Sequence, residues 1–493
     1  MKNKTLKYLG LFFTAFTLWT ACEDLDIENI NQPDAERALS SDSDLISLLN
    51  GATSATFNQL NGFEGIHLDG LADQITSTNA SGDFWGFTDQ PRRAINNTTT
   101  NAEISQFGEW WDDLNSQIYN ANLILDIINN QEKTIANTNG DDVTAASKTT
   151  ALFIRGLSIG YLGMIYDKGY RVDENTDLTA LEFEDYAQLI GYGLADIAAA
   201  LDTAPADYAL RIHANFSVDR ATFVKLANTL RAKIAMGVKR GGAADETINY
   251  TQVIAWLDAG ITENFNPPEE ANVFFDFRRW YGSYFIAGAG YLPVDQKIPF
   301  LAEGNSDLQP MDYPTDSSVI LGPISNTTDS RIANYFQYVA EFGFLNPARG
   351  RHLFSNYHHT RYFEQNVGNE TGLDTNFFTL AEKNYLKAEA QLLNGDTDGA
   401  LATINTSAER AASGLPDATD PAKALLYEYA IELHLNGTGG TNWFFMRRHN
   451  LLQLGTPLHF PVPATELEIS GLDSYTFGSQ GGEASASGPG WKQ

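Results

Sequence analysis

The chain has 493 residues, 43% of them hydrophobic, which is enough to bury a large core and excludes an intrinsically disordered protein. Its formal net charge is −30, and a surface this acidic repels phosphate backbones, so we expect no nucleic-acid partner. One cysteine cannot form an internal disulfide, and no Cys/His cluster has the spacing of a zinc site. We therefore assign no metal site and no cofactor.

The N-terminus has the pattern of a lipoprotein signal. Three lysines within the first seven residues precede an apolar run at residues 8–19, which is too short to span a bilayer. The sequence LWTAC at residues 18–22 then resembles a bacterial lipobox, with Trp19 in place of the usual leucine or small aliphatic residue. We predict that Cys22 takes a thioether-linked diacylglycerol, since several acyl chains at ~0.8 kcal/mol per buried CH₂ give stable anchoring. An ordinary signal peptide with an incidental cysteine is the alternative. No later segment is apolar enough to cross a membrane.

Three stretches in the first half of the chain have the periodicity of buried helices. The first covers residues 100–130 and starts with capping-box spacing at Thr100. A second is predicted over about 145–166, where three glycines on one side allow a close neighbour, and a third over about 219–238, capped at Asp219. The apolar stripe of the first helix comprises Ile104, Phe107, Trp111, Leu114, Ile118, Ala121, Leu125 and Ile128.

Residues 379–412 predict a helix hairpin. Gly395 suits the left-handed stop of its first helix, and Asp396 or Asp398 can cap the second. Small alanines at the crossing of two short helices are typical of a tetratricopeptide-like unit, although no clean 34-residue period is present. The two apolar stripes are Ala381, Tyr385, Ala388 and Leu392, followed by Leu401, Ile404, Ala408 and Ala411.

A different composition marks residues 267–347. This stretch holds eight of the 17 prolines, too many for regular helices, and it includes the aromatic segment VFFDFRRWYGSYF at 273–285. We interpret it as a loop-rich insertion on a helical scaffold, where functional surfaces concentrate.

Five motifs, spread in order over nearly the whole chain, share their pattern with one protein family. They are ACEDLDIENINQPD at 21–34; QPRRAINNTT at 90–99 with WWDDLNSQIYNANLIL at 110–125; TALFIRGLSIGYLGMIYDKGY at 150–170; KAEAQLLNGDTDGALATIN at 387–405; and GTPLHFPVPATELEI at 455–469. On these motifs the chain resembles the SusD/RagB family of nutrient-binding outer-membrane lipoproteins of Bacteroidetes. One departure is the Gly/Thr loop before Trp443, where the family often has Glu-Gly-Arg-Trp.

The resemblance implies a fold, a place and a function. The implied fold is mostly α: a single helical domain with four degenerate tetratricopeptide-like helix hairpins and a loop-rich ligand-binding insertion. Such proteins lie on the outer face of the outer membrane, capture oligosaccharides or polysaccharide for polysaccharide utilization, and form a lid over a SusC-like TonB-dependent transporter. They are not enzymes. The acidic residues after the lipidated cysteine, Glu23, Asp24 and Asp26, resemble the signal that sends these lipoproteins to the cell surface.

These considerations divide the chain into three parts. We predict a lipoprotein signal peptide at residues 1–21, a lipid-anchored tether at 22–41 and a SusD-like domain at 42–493, with the loop-rich insertion at about 255–375. The membrane is contacted through the lipid anchor only.

Aromatic residues in loops are the candidates for sugar binding, because a pyranose ring buries its C–H face on an indole or phenol and leaves its hydroxyls free to bond. The stacking candidates are Trp85, in SGDFWGF, and Trp280, Tyr281 and Tyr284, in FRRWYGSYF. Neighbouring side chains that can bond to the hydroxyls are Asp73, Gln74, Asn79, Asp83, Arg278 and Arg279. The alternative for the aromatics is core packing, which we assign to Trp111, Tyr119 and Tyr166 on their helical stripes. YHHTRYF at 357–363 is a weaker second patch.

No catalytic motif is supported by its context. GLSIG at 156–160 matches a nucleophile elbow but lies inside a helical pattern, and GDTDG at 395–399 lacks a glutamate at the twelfth position of a calcium loop. The adjacent His358 and His359 point in different directions on any regular element. Two rivals stay open: a surface glycoside hydrolase, whose carboxylate pair nothing in the sequence selects, and a tetratricopeptide-like protein-interaction scaffold without a sugar site. The acidic surface favours neutral over strongly anionic glycans, although Arg92-Arg93, Arg278-Arg279 and Arg447-Arg448 form basic pairs.

Overall fold

The computed structural model describes most of the chain from residue 41 onward. The described residues are 41–62, 64–77, 84–89, 91–101, 103–241, 247–270, 292–303, 323–340, 355–362, 377–488 and 490–492. Residues 46–493 form one compact unit, and residues 1–45 form another, described only at 41–45. The described chain is mostly helical, and its strands form three short antiparallel pairs, which confirms the predicted fold class. In this part of the chain, no helix has both the length and the hydropathy for crossing a bilayer.

The elements follow one another in this order. The helices are α1 (Asp42–Leu60), α2 (Gly65–Leu71), α3 (Phe84–Thr88), α4 (Glu103–Asn129), α5 (Thr144–Ile165), α6 (Tyr186–Thr203), α7 (Arg220–Met236), α8 (Tyr250–Asp258), α9 (Lys297–Ala302), α10 (Ser330–Tyr335), α11 (Leu380–Leu393), α12 (Thr397–Asn405), α13 (Ala408–Ala412), α14 (Pro421–Ile431), α15 (Thr441–Arg448) and α16 (Ala464–Ile469). The strand pairs are β1 (Lys168–Tyr170) with β2 (Phe183–Asp185), β3 (Ala209–His213) with β4 (Phe216–Asp219), and β5 (Phe336–Tyr338) with β6 (Tyr357–His359).

Among the described helices, eight form an array in which each packs against the next. The order is α4, α5, α6, α7, α8, α11, α12 and α14, so the array contains four successive helix pairs. Such a succession buries a continuous core between neighbours, as in other helical repeats. The third pair is interrupted, because α8 ends at Asp258 and α11 begins at Leu380. The described parts of this crossover include α9, α10 and the β5–β6 pair.

The long helix α4 buries its predicted stripe. From Phe107 to Leu125, the stripe residues are at most 2% exposed, whereas Ile128 is partly exposed. The side chain of Ile104 lies outside the described residues. The helix begins at Glu103, so Thr100 is not its N-cap, and the capping-box prediction is wrong at this end.

Glycines allow α5 and α6 to cross closely, as the sequence predicts. A Cβ added at Gly156 would lie 2.8 Å from the carbonyl oxygen of Gly193, and one at Gly163 would lie 2.7 Å from that of Tyr186. Gly160 faces α7 instead, where a Cβ would lie 2.9 Å from the side chain of Ile234. The three glycines therefore serve two neighbouring helices.

The predicted caps are also present. The Asp219 carboxylate accepts a hydrogen bond from the Thr222 amide at 2.8 Å and starts α7. In the α11–α12 hairpin, Gly395 adopts a φ of +84°, and the Asp396 carboxylate accepts from the Gly399 amide at 2.9 Å. The hairpin prediction is confirmed.

Buried arginines join the C-terminal segments to the array. Arg447 is fully buried at the end of α15, and its Nη1 donates to the carbonyl oxygens of Met164 at 2.9 Å and Leu458 at 2.8 Å. Arg448, beside it, forms a buried ion pair with Glu389 of α11. These residues therefore do not form the basic surface patch that the sequence suggested.

Candidate functional site

The short helix α3 presents Trp85, which is partly exposed. Its anchor is Phe87, which is 1% exposed and whose ring lies 4.8 Å from the ring of His67 and 6.1 Å from that of Phe460. Phe87 packs this helix against the core, and Trp85, two positions earlier, keeps part of its side chain exposed while its indole Nε1 is buried. A partly exposed indole can stack on a sugar ring through its exposed part.

The buried side chain of Arg92 holds α3 in place through hydrogen bonds. Its guanidinium donates to the carbonyl oxygens of Phe87 at 2.6 Å and Gly70 at 3.3 Å, and to Thr456 Oγ1 at 3.1 Å. It also pairs with the Asp73 carboxylate at 2.6 Å. Arg92 is 4% exposed, so it positions the helix and is not part of a surface basic pair with Arg93. The motif QPRR draws attention to Arg92 in the sequence but does not predict that its side chain is buried.

Asp73 and Gln74 lie inside the protein, where a sugar does not reach them. Asp73 is 2% exposed and has a φ of +53°, while Gln74 is 0% exposed. Gln74 donates to Asn442 Oδ1 at 3.0 Å and bonds to His434 Nδ1 at 3.0 Å. Both side chains thus secure the segment that follows α2, and we leave them out of the proposed contact surface.

Lys297 lies near Asp73. Burial lowers the pKa of Lys297 to about 8, and the Asp73 carboxylate opposes this change. The lysine is fully buried and donates to the carbonyl oxygen of Ala72. Through these contacts Lys297 also stabilises the segment at residues 72–73, which follows α2.

The remaining predicted contact residues lie outside the described residues. They are Asn79, Asp83, Arg278, Arg279, Trp280, Tyr281 and Tyr284. Cys22 of the predicted lipobox lies outside them as well.

The second aromatic patch is buried in its described part. Tyr357, His358 and His359 form β6, are at most 6% exposed, and pair with β5. The Tyr357 hydroxyl accepts from the Ile324 amide at 2.6 Å. The prediction of a surface patch is therefore wrong for these residues, because strand pairing places them in the core of the crossover.

The motifs that resemble catalytic sites have structural roles. Ser158 is fully buried within α5, so GLSIG does not form a strand-to-helix elbow. The GDTDG sequence is the turn capped by Asp396. Across the described ranges, no group of His, Cys, Asp and Glu side chains is arranged to hold a metal ion.

Grooves also open on the described surface, and Trp85 does not line the following two. One, of about 440 Å³, lies between α14 and residues 326–328. The other, of about 840 Å³, lies between α4 and residues 170–181. Tyr119 lines the second groove and is 59% exposed, so its assignment to core packing is wrong, whereas Trp111 and Tyr166 are buried as predicted.

The described architecture defines an all-α protein of successive helix pairs with a long crossover. No protein-family model matches the chain, and no curated protein sequence matches it either.

Solved structures match the fold over most of the chain. A SusD superfamily protein from Parabacteroides distasonis ATCC 8503 is 14% identical, covers 89% of this chain and 99% of its own, and gives a TM-score of 0.60. A SusD-like carbohydrate binding protein from Bacteroides vulgatus ATCC 8482 is 15% identical, with 83% and 84% coverage and a TM-score of 0.55. A crystal structure with xylogluco-oligosaccharide is 13% identical, with 82% coverage of both chains and a TM-score of 0.54. The chain therefore has the SusD-superfamily fold.

Proposed function

We propose that the protein is a cell-surface, lipid-anchored SusD-like protein that binds oligosaccharides or polysaccharide without catalysis and delivers them to a TonB-dependent transporter. The observation that carries the proposal is the fold, which matches SusD-like structures over more than four fifths of the chain. The lipobox at Cys22 supports anchoring, and the sequence resemblance supports the outer-membrane location and the transporter partner.

The proposed sugar surface centres on Trp85. Phe87 and Arg92 fix the short helix that carries it, so the indole is presented with little loss of freedom on binding. We assign Trp280, Tyr281 and Tyr284 as further stacking residues, and Asn79, Asp83, Arg278 and Arg279 as hydroxyl-binding residues. The net charge of −30 favours a neutral glycan.

Calorimetry with a panel of purified polysaccharides tests the proposal. Wild type is expected to bind at least one glycan, and Trp85→Ala or Trp280→Ala to weaken it roughly 30-fold, since losing an aromatic anchor costs about 2 kcal/mol. The matched control is Trp256→Ala. Trp256 is also partly exposed, but it lies on α8 under the guanidinium of Arg231 at 4.4 Å, so its loss should leave binding unchanged.

The melting temperatures of the same variants separate a platform from a core residue. A core tryptophan would cost about 3–5 kcal/mol of folding stability on truncation, whereas a platform would cost little. Normal glycan binding by both variants would refute the assigned surface. No binding to any glycan by wild type would favour the interaction scaffold, and new reducing ends during incubation would favour the glycoside hydrolase.

A further inference from the structure

The groove beside α4, called the α4 groove here, has no role in the proposed sugar surface. It is bounded by the outward side of α4 and by residues 170–181, and Glu466 of α16 also lines it. Asp112, Tyr119 and Asp126 line it at intervals of seven residues, which places them on one face of the helix at two-turn spacing. From Asp112 to Asp126 this face is about 21 Å long, which corresponds to about six residues of extended chain.

Two large apolar side chains stand exposed at this groove. Tyr119 is 59% exposed on α4, and Leu178 is 61% exposed on the opposite wall. Below them, Trp111 is 2% exposed, and its ring lies 6.2 Å from the ring of Tyr170. Isolated exposed apolar side chains are common, but two that face one groove over an aromatic floor favour an interaction site.

The groove is also strongly acidic. Its lining contains five carboxylates and no lysine, arginine or histidine. Glu174 pairs with Arg155 at 2.6 Å and Asp173 pairs with Arg171 at 3.1 Å, whereas Asp112 and Glu466 form no ion pair with a described residue. Burial, then Glu466 and Glu109, raise the pKa of Asp112, which shows that the negative charges at this end of the groove repel one another. A cation placed there would relieve the repulsion.

We propose that the α4 groove docks a polypeptide segment that carries a lysine or arginine next to an apolar side chain. The cation lies between Asp112 and Glu466, and the apolar side chain covers Tyr119 and Leu178. The protein's own tether at residues 22–41 does not suit the groove, because it has six acidic residues and one arginine. A neutral glycan would leave the carboxylates without a counter-charge.

Fluorescence anisotropy with a labelled heptapeptide, KLSKLSK, at 150 mM salt tests this docking. Two matched peptides serve as controls: ELSELSE reverses the side-chain charge, and KSSKSSK removes the apolar side chains. We expect KLSKLSK to bind at least ten-fold more tightly than either, and Tyr119→Ala or the double variant Asp112→Asn/Glu466→Gln to weaken it at least ten-fold. Tyr119 is exposed, so its truncation leaves the fold intact.

The control separates docking from diffuse attraction to an acidic protein. Asp207→Asn/Asp398→Asn removes the same charge from exposed sites outside the groove and should leave the affinity within two-fold. Equal loss in this control, unchanged binding in the groove variants, or no peptide binding by wild type overturns the proposal. Loss of glycan binding in Tyr119→Ala also overturns it, and would make the groove a sugar site. Because the peptide assay contains no glycan, its outcome is independent of the proposed sugar surface.

Discussion

Glu389 is the residue whose loss we expect to reveal most about how the array is held together. It is fully buried on α11, and its Oε1 accepts from Arg448 Nε at 2.6 Å and from His449 Nε2 at 2.9 Å. Its Oε2 accepts from Arg448 Nη2 at 2.7 Å and from the Tyr429 hydroxyl at 3.1 Å. One carboxylate thus connects α11, α14 and the end of α15. We consider the substitution Glu389→Gln, which keeps the shape and removes the charge.

The expected magnitude follows from the pKa. Burial alone would raise the pKa of Glu389, but Arg448, with its charge and its hydrogen bonds, and then His449 lower it from 4.5 to about 2. At about 1.4 kcal/mol for each pKa unit, this difference corresponds to about 3 kcal/mol of stability. Because the pKa is lowered on folding, the contribution is fully present above pH 4.5 and is lost as the pH falls through about 2. At pH 3 less than half of this contribution, about 1 kcal/mol, remains.

Urea unfolding, followed by tryptophan fluorescence and circular dichroism, measures this contribution. Relative to wild type, Glu389→Gln should lose about 3 kcal/mol at pH 7, a large part of the stability of a typical domain, and about 1 kcal/mol at pH 3. Glu263→Gln, at an exposed site, is the matched control and should stay within about 0.5 kcal/mol at both pH values. If the loss of unfolding free energy is the same at pH 7 and pH 3, lost packing and not the ion pair causes it. A loss below about 1 kcal/mol at pH 7 would refute the argument.

Three further predictions concern the helix crossing, the anchor and the partner. Gly193→Ala should destabilise the protein by about 2 kcal/mol or more in the same urea assay, because its Cβ would lie 2.6 Å from the carbonyl oxygen of Gly156. Gly191→Ala is the control: its Cβ would have nothing within 4 Å, so the alanine should stabilise α6 by about 0.5–1 kcal/mol. Equal effects of the two substitutions would contradict the close crossing. Cys22→Ala should abolish fatty-acid labelling and release the protein from membranes, and continued labelling would disprove the lipobox. A pull-down from native outer membranes in mild detergent should recover a large TonB-dependent β-barrel, and recovery of the protein alone would count against the transporter partner.

Local patterns in the sequence determined the helical part of this protein. The stripe of α4, the Asp219 cap of α7 and the Gly395 turn of the α11–α12 hairpin were all predictable, because each depends on residues within a few positions of one another. The resemblance to SusD-like proteins likewise rested on short motifs, and the fold agrees with it.

Only the tertiary structure decided which polar and aromatic residues are accessible. Asp73 and Arg92 have the sequence pattern of surface residues but are buried against each other, and Arg447 donates to the carbonyl oxygen of Met164, which lies 283 positions away in the chain. The sequence pattern predicts Tyr119 as a core residue, but it follows the buried Ile118 by one position. Because successive helix residues point in different directions, Tyr119 lies at the groove instead. A charged side chain is buried only where a partner from a distant part of the chain contacts it, and these contacts form only when the helices pack. No local sequence pattern predicts them.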